Sequence, residues 1–254
     1  MQTLVFVIEY DGANFSGWQI QPNARSVQEE LEIALYNLYK ERINVVGSGR
    51  TDAGVHAFGQ VASAEIKNVL IPENKIIRAL NAKLPDCIKI INAKYFPFKF
   101  HARFDAVERE YVYFLSNDVS VFKRNYVSIY PLPFDKQKLF EIAPIFTGIK
   151  DFTTLSKINK DIHNNICNVT VSEWEENGDG EMVYRIRANH FLYGMVRAVV
   201  GIMLDYARGK RTREEIQKAI EKKERNLASA FAPPQGLFLS RVFYNEEINQ
   251  ILYQ

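Results

Sequence analysis

Residues 47–60 place one carboxylate, Asp52, between Arg50 and Gly54 in a run of small residues that follows an apolar stretch. A lone carboxylate beside a permanent cation suits nucleophilic attack on an electron-poor carbon, or a charge role, better than two-carboxylate glycosidase chemistry. Gly47, Gly49 and Gly54 would let the backbone take positive φ and come close to a bound molecule. A plainer role fits the same residues, because Asp52 and Thr51 are of the types that cap a turn through local hydrogen bonds. Gly49 and Gly54 have the spacing of a phosphate-cradling loop, yet Val55 stands where its lysine belongs, which argues against a nucleoside triphosphatase. His56 has no serine partner of the nucleophile-elbow kind, so a structural or supporting role suits it better than that of a base.

Three further segments could complete a site. Tyr111 and Tyr113 alternate along a strand, where they are either core aromatics or a platform for a nucleobase. Arg197 interrupts the apolar run 191–206; an arginine buried there needs an anion to offset its desolvation, and Asp52 is the expected partner. Residues 236–239 read as core strand when taken alone.

The elements that must hold these residues follow from periodicity. Alternation over 3–10 predicts a strand, and Ser26 with Glu29 predicts the capped start of a helix whose apolar face is Val27, Leu31, Ala34, Leu35 and Leu38. A short strand at 43–46 leads into the Asp52 loop, and strand pattern resumes over 59–66. Pro72 opens a second helix through Ile76, Ile77, Leu80 and Leu84, and 87–96 closes the set. The second half repeats the order with longer pieces. It has a strand at 109–115, a helix at 135–146 and strands at 167–175 and 182–188 around the hairpin signal Asn177-Gly178. A buried helix at 191–206, a helix capped by Thr212 and Glu215, and a closing strand at 237–244 complete it. Two βαββαβ units imply an α+β chain of two ferredoxin-like halves, 1–103 and 104–254, with the seam near 97–108.

Composition narrows the class. A chain of 254 residues with 47% hydrophobic and 24% charged residues is an ordinary globular protein with mass for a substantial core. The start shows neither a signal peptide nor a membrane span, and Cys87 and Cys167 form no CxxC, which fits reduced core thiols in the cytoplasm. Four scattered histidines with no close His/Cys cluster argue against a zinc site. A net charge of +2 permits a nucleic-acid partner without demanding one. Basic clusters at Lys99, His101, Arg103 and Arg109, at Lys123 and Arg124, and at Arg208, Lys210 and Arg211 suit either a solvated surface or RNA contacts.

Taken in order, Tyr10-Asp11-Gly12, 15–19, the 49–57 loop, 100–104, 151–153, 195–197 and 236–239 resemble the tRNA pseudouridine synthase A family over nearly the whole chain. The resemblance implies a pseudouridine synthase fold of two ferredoxin-like halves with a central cleft. It implies isomerisation of uridine to pseudouridine at positions 38, 39 and 40 of the tRNA anticodon stem-loop by a homodimer, with no cofactor, metal, membrane or DNA partner. Asp52 matches the essential aspartate and Arg50 the residue that assists flipping of the target base. Tyr111 matches the aromatic that stacks on uracil, Arg197 the basic residue that pairs with the aspartate, and Leu237 an apolar wall of the pocket; His56 falls among the substrate-side residues. Lys150 and Asn165 depart from the histidine and arginine common in relatives, at positions tied to RNA contacts. Competing readings are an RNA-binding module, whose aromatic-rich Lys/Arg-Gly-Phe signature is missing, a nucleoside hydrolase, and pseudouridine synthesis on another RNA.

Overall fold

The structure, a computed structural model, describes residues 2–157, 164–224 and 227–253; His163, one of the four histidines, lies outside them. The chain forms two compact units, Met1–Glu108 with Phe238–Gln254, and Arg109–Leu237.

Unit 1 is built as its periodicity predicts. Strand β1 (Gln2–Tyr10) is buried on both faces, Leu4, Phe6 and Ile8 on one side and Val5 and Val7 on the other. Helix α1 (Val27–Tyr39) starts where the Ser26 hydroxyl accepts the Glu29 N–H at 3.3 Å. Strand β2 (Val45–Gly47) precedes the Asp52 loop, and β3 (His56–Ile66) follows it. β3 begins at His56 rather than at the expected Gly59, so the loop ends directly in sheet. Helix α2 (Glu73–Asn81) uses Pro72 as its N-cap, and β4 (Ile88–Phe96) completes the βαββαβ run.

β1 lies between β4 and β3, antiparallel to both, and β2 pairs with the far edge of β3, giving the ferredoxin-like order 4-1-3-2. α2 packs on β4, and α1 on β2 and α2. The same far edge of β3 also carries β10 (Leu237–Phe243), in parallel, with Phe238 opposite His56 and Leu239 opposite Ala57. The strand expected to close the second half thus contributes its residues from Phe238 onward to unit 1.

Unit 2 holds β5 (Glu108–Ser116) from Arg109 onward, β6 (Ser128–Ile129), α3 (Lys136–Ile142), β7 (Gly148–Asp151), β8 (Ile166–Glu176) and β9 (Met182–Ala188), then α4 (Met195–Ala207) and α5 (Arg213–Lys222). Antiparallel pairing runs β5-β9-β8-β7, whose first three members repeat the 1-3-2 part of the unit 1 order. Three expectations shift for local reasons. The helix expected over 135–146 stops being α-helical at Ala143, because Pro144 has no N–H to continue the ladder. The hairpin turns on Gly180 (φ 75°), not Gly178, since Asn177 Oδ1 accepts the N–H groups of Asp179 and Glu181 and sets a longer loop. α4 starts at Met195, four residues late, because Gly194 at its N-cap has φ 71°. Among the described residues no helix is long and apolar enough to cross a membrane, and no cluster of His, Cys, Asp and Glu is arranged to hold a metal.

Candidate active site

The Asp52 loop is held from both flanks of the sheet and from the loop that follows β1. At its start the Ser48 hydroxyl donates to Gln60 Oε1 at 2.6 Å, while Gln60 Nε2 donates to the Gly49 carbonyl at 2.9 Å. The Ser48 N–H reaches the Val61 carbonyl, so β3 pins the loop along its base. At the centre, the Trp18 N–H donates to the Thr51 carbonyl at 3.1 Å, and the Tyr10 and Thr51 hydroxyls share a 2.8 Å hydrogen bond. Burial pushes the Tyr10 phenol above its ordinary pKa, so this hydroxyl stays a neutral hydrogen-bonding group. Beyond Asp52, the Gly54 N–H donates to Phe15 and the Val55 N–H back to the Asp52 carbonyl.

Two glycines outside the loop make that close packing feasible. A Cβ on Gly17, which has φ 102°, would stand 2.6 Å from the Thr51 carbonyl oxygen, and one on Gly12 would stand 2.0 Å from that of Val55. Of the three glycines expected to supply positive φ within the loop, only Gly54 (φ 75°) does so. Gly47 is required for space instead, since a Cβ there would meet the Trp18 ring at 2.5 Å, and Gly49 faces open space.

The clamp leaves Thr51 and Val55 buried, Asp52 half-buried and Arg50 exposed. Such an aspartate is accessible to a substrate while its backbone is fixed, which is the combination that positioned chemistry needs. His56 lies behind it, 1% exposed, stacked on Phe238 with ring centroids 4.6 Å apart. Its Nδ1 accepts the Gly12 N–H at 3.0 Å and also lies 3.1 Å from Asp11 Oδ1. Only one of those neighbours can set the nitrogen's role, and the backbone N–H, fixed in direction by the chain, makes Nδ1 an acceptor. The ring therefore braces the two loops against each other.

The other expected site residues belong to unit 2. Tyr111 on β5 is buried and meets Phe191 edge-on at 5.0 Å. Tyr113, two residues along the same face, is fully buried and donates its hydroxyl to the Pro233 carbonyl at 3.0 Å. Arg197, on the first turn of α4, is half-buried; its Nε donates to the Ala232 carbonyl at 2.7 Å and its guanidinium lies 5.8 Å from the Phe231 ring centre. Leu237 is buried at the start of β10. Sequence reasoning picked out these positions, and placed Gly12, Gly17 and Trp18 among the motifs of the family resemblance, but gave them no part in fixing the Asp52 loop, because that part depends on contacts the sequence does not display.

A family profile described as tRNA pseudouridine synthase matches residues 6–105 and 142–245, which include the Asp52 loop, Arg197 and Leu237. The chain belongs to the tRNA pseudouridine synthase family. Proteins named tRNA pseudouridine synthase A resemble it along almost their whole length. That of Bacillus licheniformis is 42% identical over 242 residues, covering 94% of this chain and 97% of the relative. That of Bacillus subtilis is 40% identical over the same length and coverage. That of Exiguobacterium sibiricum is 36% identical over 246 residues, covering 97% and 98%. The pseudouridine synthase fold read from the sequence accords with this membership and with the α+β, predominantly antiparallel architecture. Tyr111 falls in the stretch that the tRNA pseudouridine synthase profile leaves unmatched, so its place rests on the strand and its neighbours alone.

Proposed function

We propose that this chain isomerises uridine to pseudouridine in tRNA, at positions 38, 39 and 40 of the anticodon stem-loop, acting as a cytoplasmic homodimer without metal or cofactor. The observation that carries the proposal is a half-buried Asp52 on a loop clamped at Thr51 and Val55, in a chain that belongs to the tRNA pseudouridine synthase family.

In this reading the target uridine leaves its stack, at a cost of about a few kcal/mol, and the exposed Arg50 assists that step and fills the vacated space. Asp52 promotes breakage of the bond between N1 and C1′, by attack on C1′ or by removal of a sugar proton. The bonding pair stays on N1 of the departing base, uracil turns, and C5 bonds to C1′ as the Asp52–C1′ bond breaks or the sugar proton is given back; C5 then loses its proton to solvent and N1 gains one, so the net change is an isomerisation. Tyr111 stacks on the ring and assists that proton's departure. Arg197 pairs with Asp52 and orients it, and Leu237 walls the base from water so that detached uracil is retained. His56, buried behind the loop, acts by holding it in place. A stem-loop would be gripped largely through phosphates and shape, for which dispersed basic clusters suffice.

Tritium release from anticodon-arm tRNA labelled at uridine C5 tests the reading. The native chain is expected to release tritium, and Asp52→Asn to fold and bind tRNA normally while losing on the order of a thousandfold or more in rate. Equal release by both proteins would remove Asp52 from the chemistry. An unfolded Asp52→Asn protein would return it to the role of a turn cap.

A further inference from the structure

Unit 1 holds a cavity of about 960 Å³ that none of residues 47–55 lines. It opens on the sheet beside α6 (Glu246–Tyr253), with Phe58, Phe98, Lys94, Ser240, Arg241 and Tyr253 in its walls. The charges there are unequally satisfied. Lys94 Nζ lies 3.2 Å from Glu73 Oε1, an ion pair complete in itself. Arg241 makes no ion pair among the described residues, and its Nε is buried without a hydrogen-bond partner. Its guanidinium instead lies against two rings, 4.1 Å from the centre of Tyr253 and 5.2 Å from that of Phe243. Stacking rigidifies the group and offsets part of its desolvation, but leaves its donors without an anion.

The remaining walls say what kind of anion fits. Phe58 and Phe98 are 43% and 48% exposed, large flat apolar surfaces beside an oriented, uncompensated guanidinium. A fixed fork of N–H donors suits a phosphate, exposed rings suit a base, and the volume lies in the ordinary range for a small-molecule site. We propose that this cavity binds a nucleotide, with its phosphate on Arg241 and its base against the Phe58 and Phe98 wall. The preference for a nucleotide over other aromatic anions rests on the tRNA reading above. A free mononucleotide and a nucleotide within the tRNA chain present the same chemistry.

Calorimetric titration of the full chain with uridine 5′-monophosphate and, separately, with unmodified tRNA tests the site, using native protein, Arg241→Gln, Arg241→Lys and Phe98→Ala, each checked for native unfolding behaviour. Losing a charge-assisted contact, or a ring on which a base stacks, weakens binding by about tenfold or more, so Arg241→Gln and Phe98→Ala are both expected to lose that much for at least one ligand, with Arg241→Lys in between. Loss for the mononucleotide alone assigns a free nucleotide; loss for tRNA assigns a nucleotide of the substrate chain. The proposal is overturned if folded Arg241→Gln or Phe98→Ala binds both ligands as the native chain does, or if neither ligand binds the native chain. The titrations need no turnover. Arg241-dependent binding without tritium release by the native chain would leave the cavity assigned and refute the isomerase reading, while release with unaltered binding would do the reverse.

Discussion

Gly17 governs where Asp52 stands, although it carries no functional group. Its φ of 102° is open to few side chains, and a Cβ would come within 2.6 Å of the Thr51 carbonyl, an atom that already accepts the Trp18 N–H. Neither strain nor clash is relieved by rotating a flexible side chain, because the obstacle is backbone. Gly17→Ala is therefore expected to cost about 2–4 kcal/mol in stability, the sum of a left-handed conformation and a steric displacement. It should also lower tritium release more than the lost folded fraction explains, since the loop must shift to survive. Native denaturation midpoint and native turnover in this variant would show that the clamp does not position Asp52. The asymmetry explains what was legible at this scale. Asp52 and Arg50 announce themselves by their chemistry, whereas the glycines that place them act through contacts with chain distant in sequence.

At the scale of the element, α4 inverts a rule of helix propensity. Replacing a helix-interior glycine by alanine ordinarily stabilises by about 1 kcal/mol. Gly201 lies mid-helix, yet a Cβ there would stand 2.0 Å from the Ala230 carbonyl oxygen, so the segment before β10 packs directly on helix backbone. The clash outweighs the propensity gain, and Gly201→Ala is expected to destabilise by about 1–3 kcal/mol, as overpacking does. A raised urea midpoint would show that this contact is soft. The sequence predicts α4 as a buried helix with Gly201 as an interruption; the structure makes the same residue a contact surface within an unbroken helix. Elsewhere, elements with a local chemical start were readable, as with Ser26 for α1 and the full Thr212–Glu215 capping box for α5. Elements set by what packs against them were not. β10 reads as the last strand of the second half, but its parallel pairing with β3 is a tertiary choice that no local pattern records.

For the molecule as a whole, the buried hydroxyls and thiol set an alkaline limit. The chain has 13 tyrosines, and burial raises the pKa of Tyr10, Tyr113 and Tyr184 above the ordinary phenol value. Burial likewise pushes Tyr253 up to about 12, and Cys167 from 9.0 to about 12. For each group the folded state binds its proton more tightly than the unfolded chain. The stabilisation is complete below the unfolded pKa and is lost as pH rises towards the folded one. Stability should thus show no loss from these groups up to the ordinary thiol range. It should begin to fall as unfolded Cys167 ionises near pH 9, and steepen above pH 10, where the unfolded tyrosines lose protons that the folded ones keep. Each such proton contributes a slope of about 1.4 kcal/mol per pH unit, so several together destabilise the chain well before the buried phenols themselves titrate. Urea midpoints measured from pH 8 to 11 check this: a curve bending downward above pH 9 is expected, with the first part of the bend removed in Cys167→Ala. A midpoint that stays flat to pH 11 would mean that the denatured chain shields these groups as well as the folded one does, and that their burial contributes nothing to the pH limit.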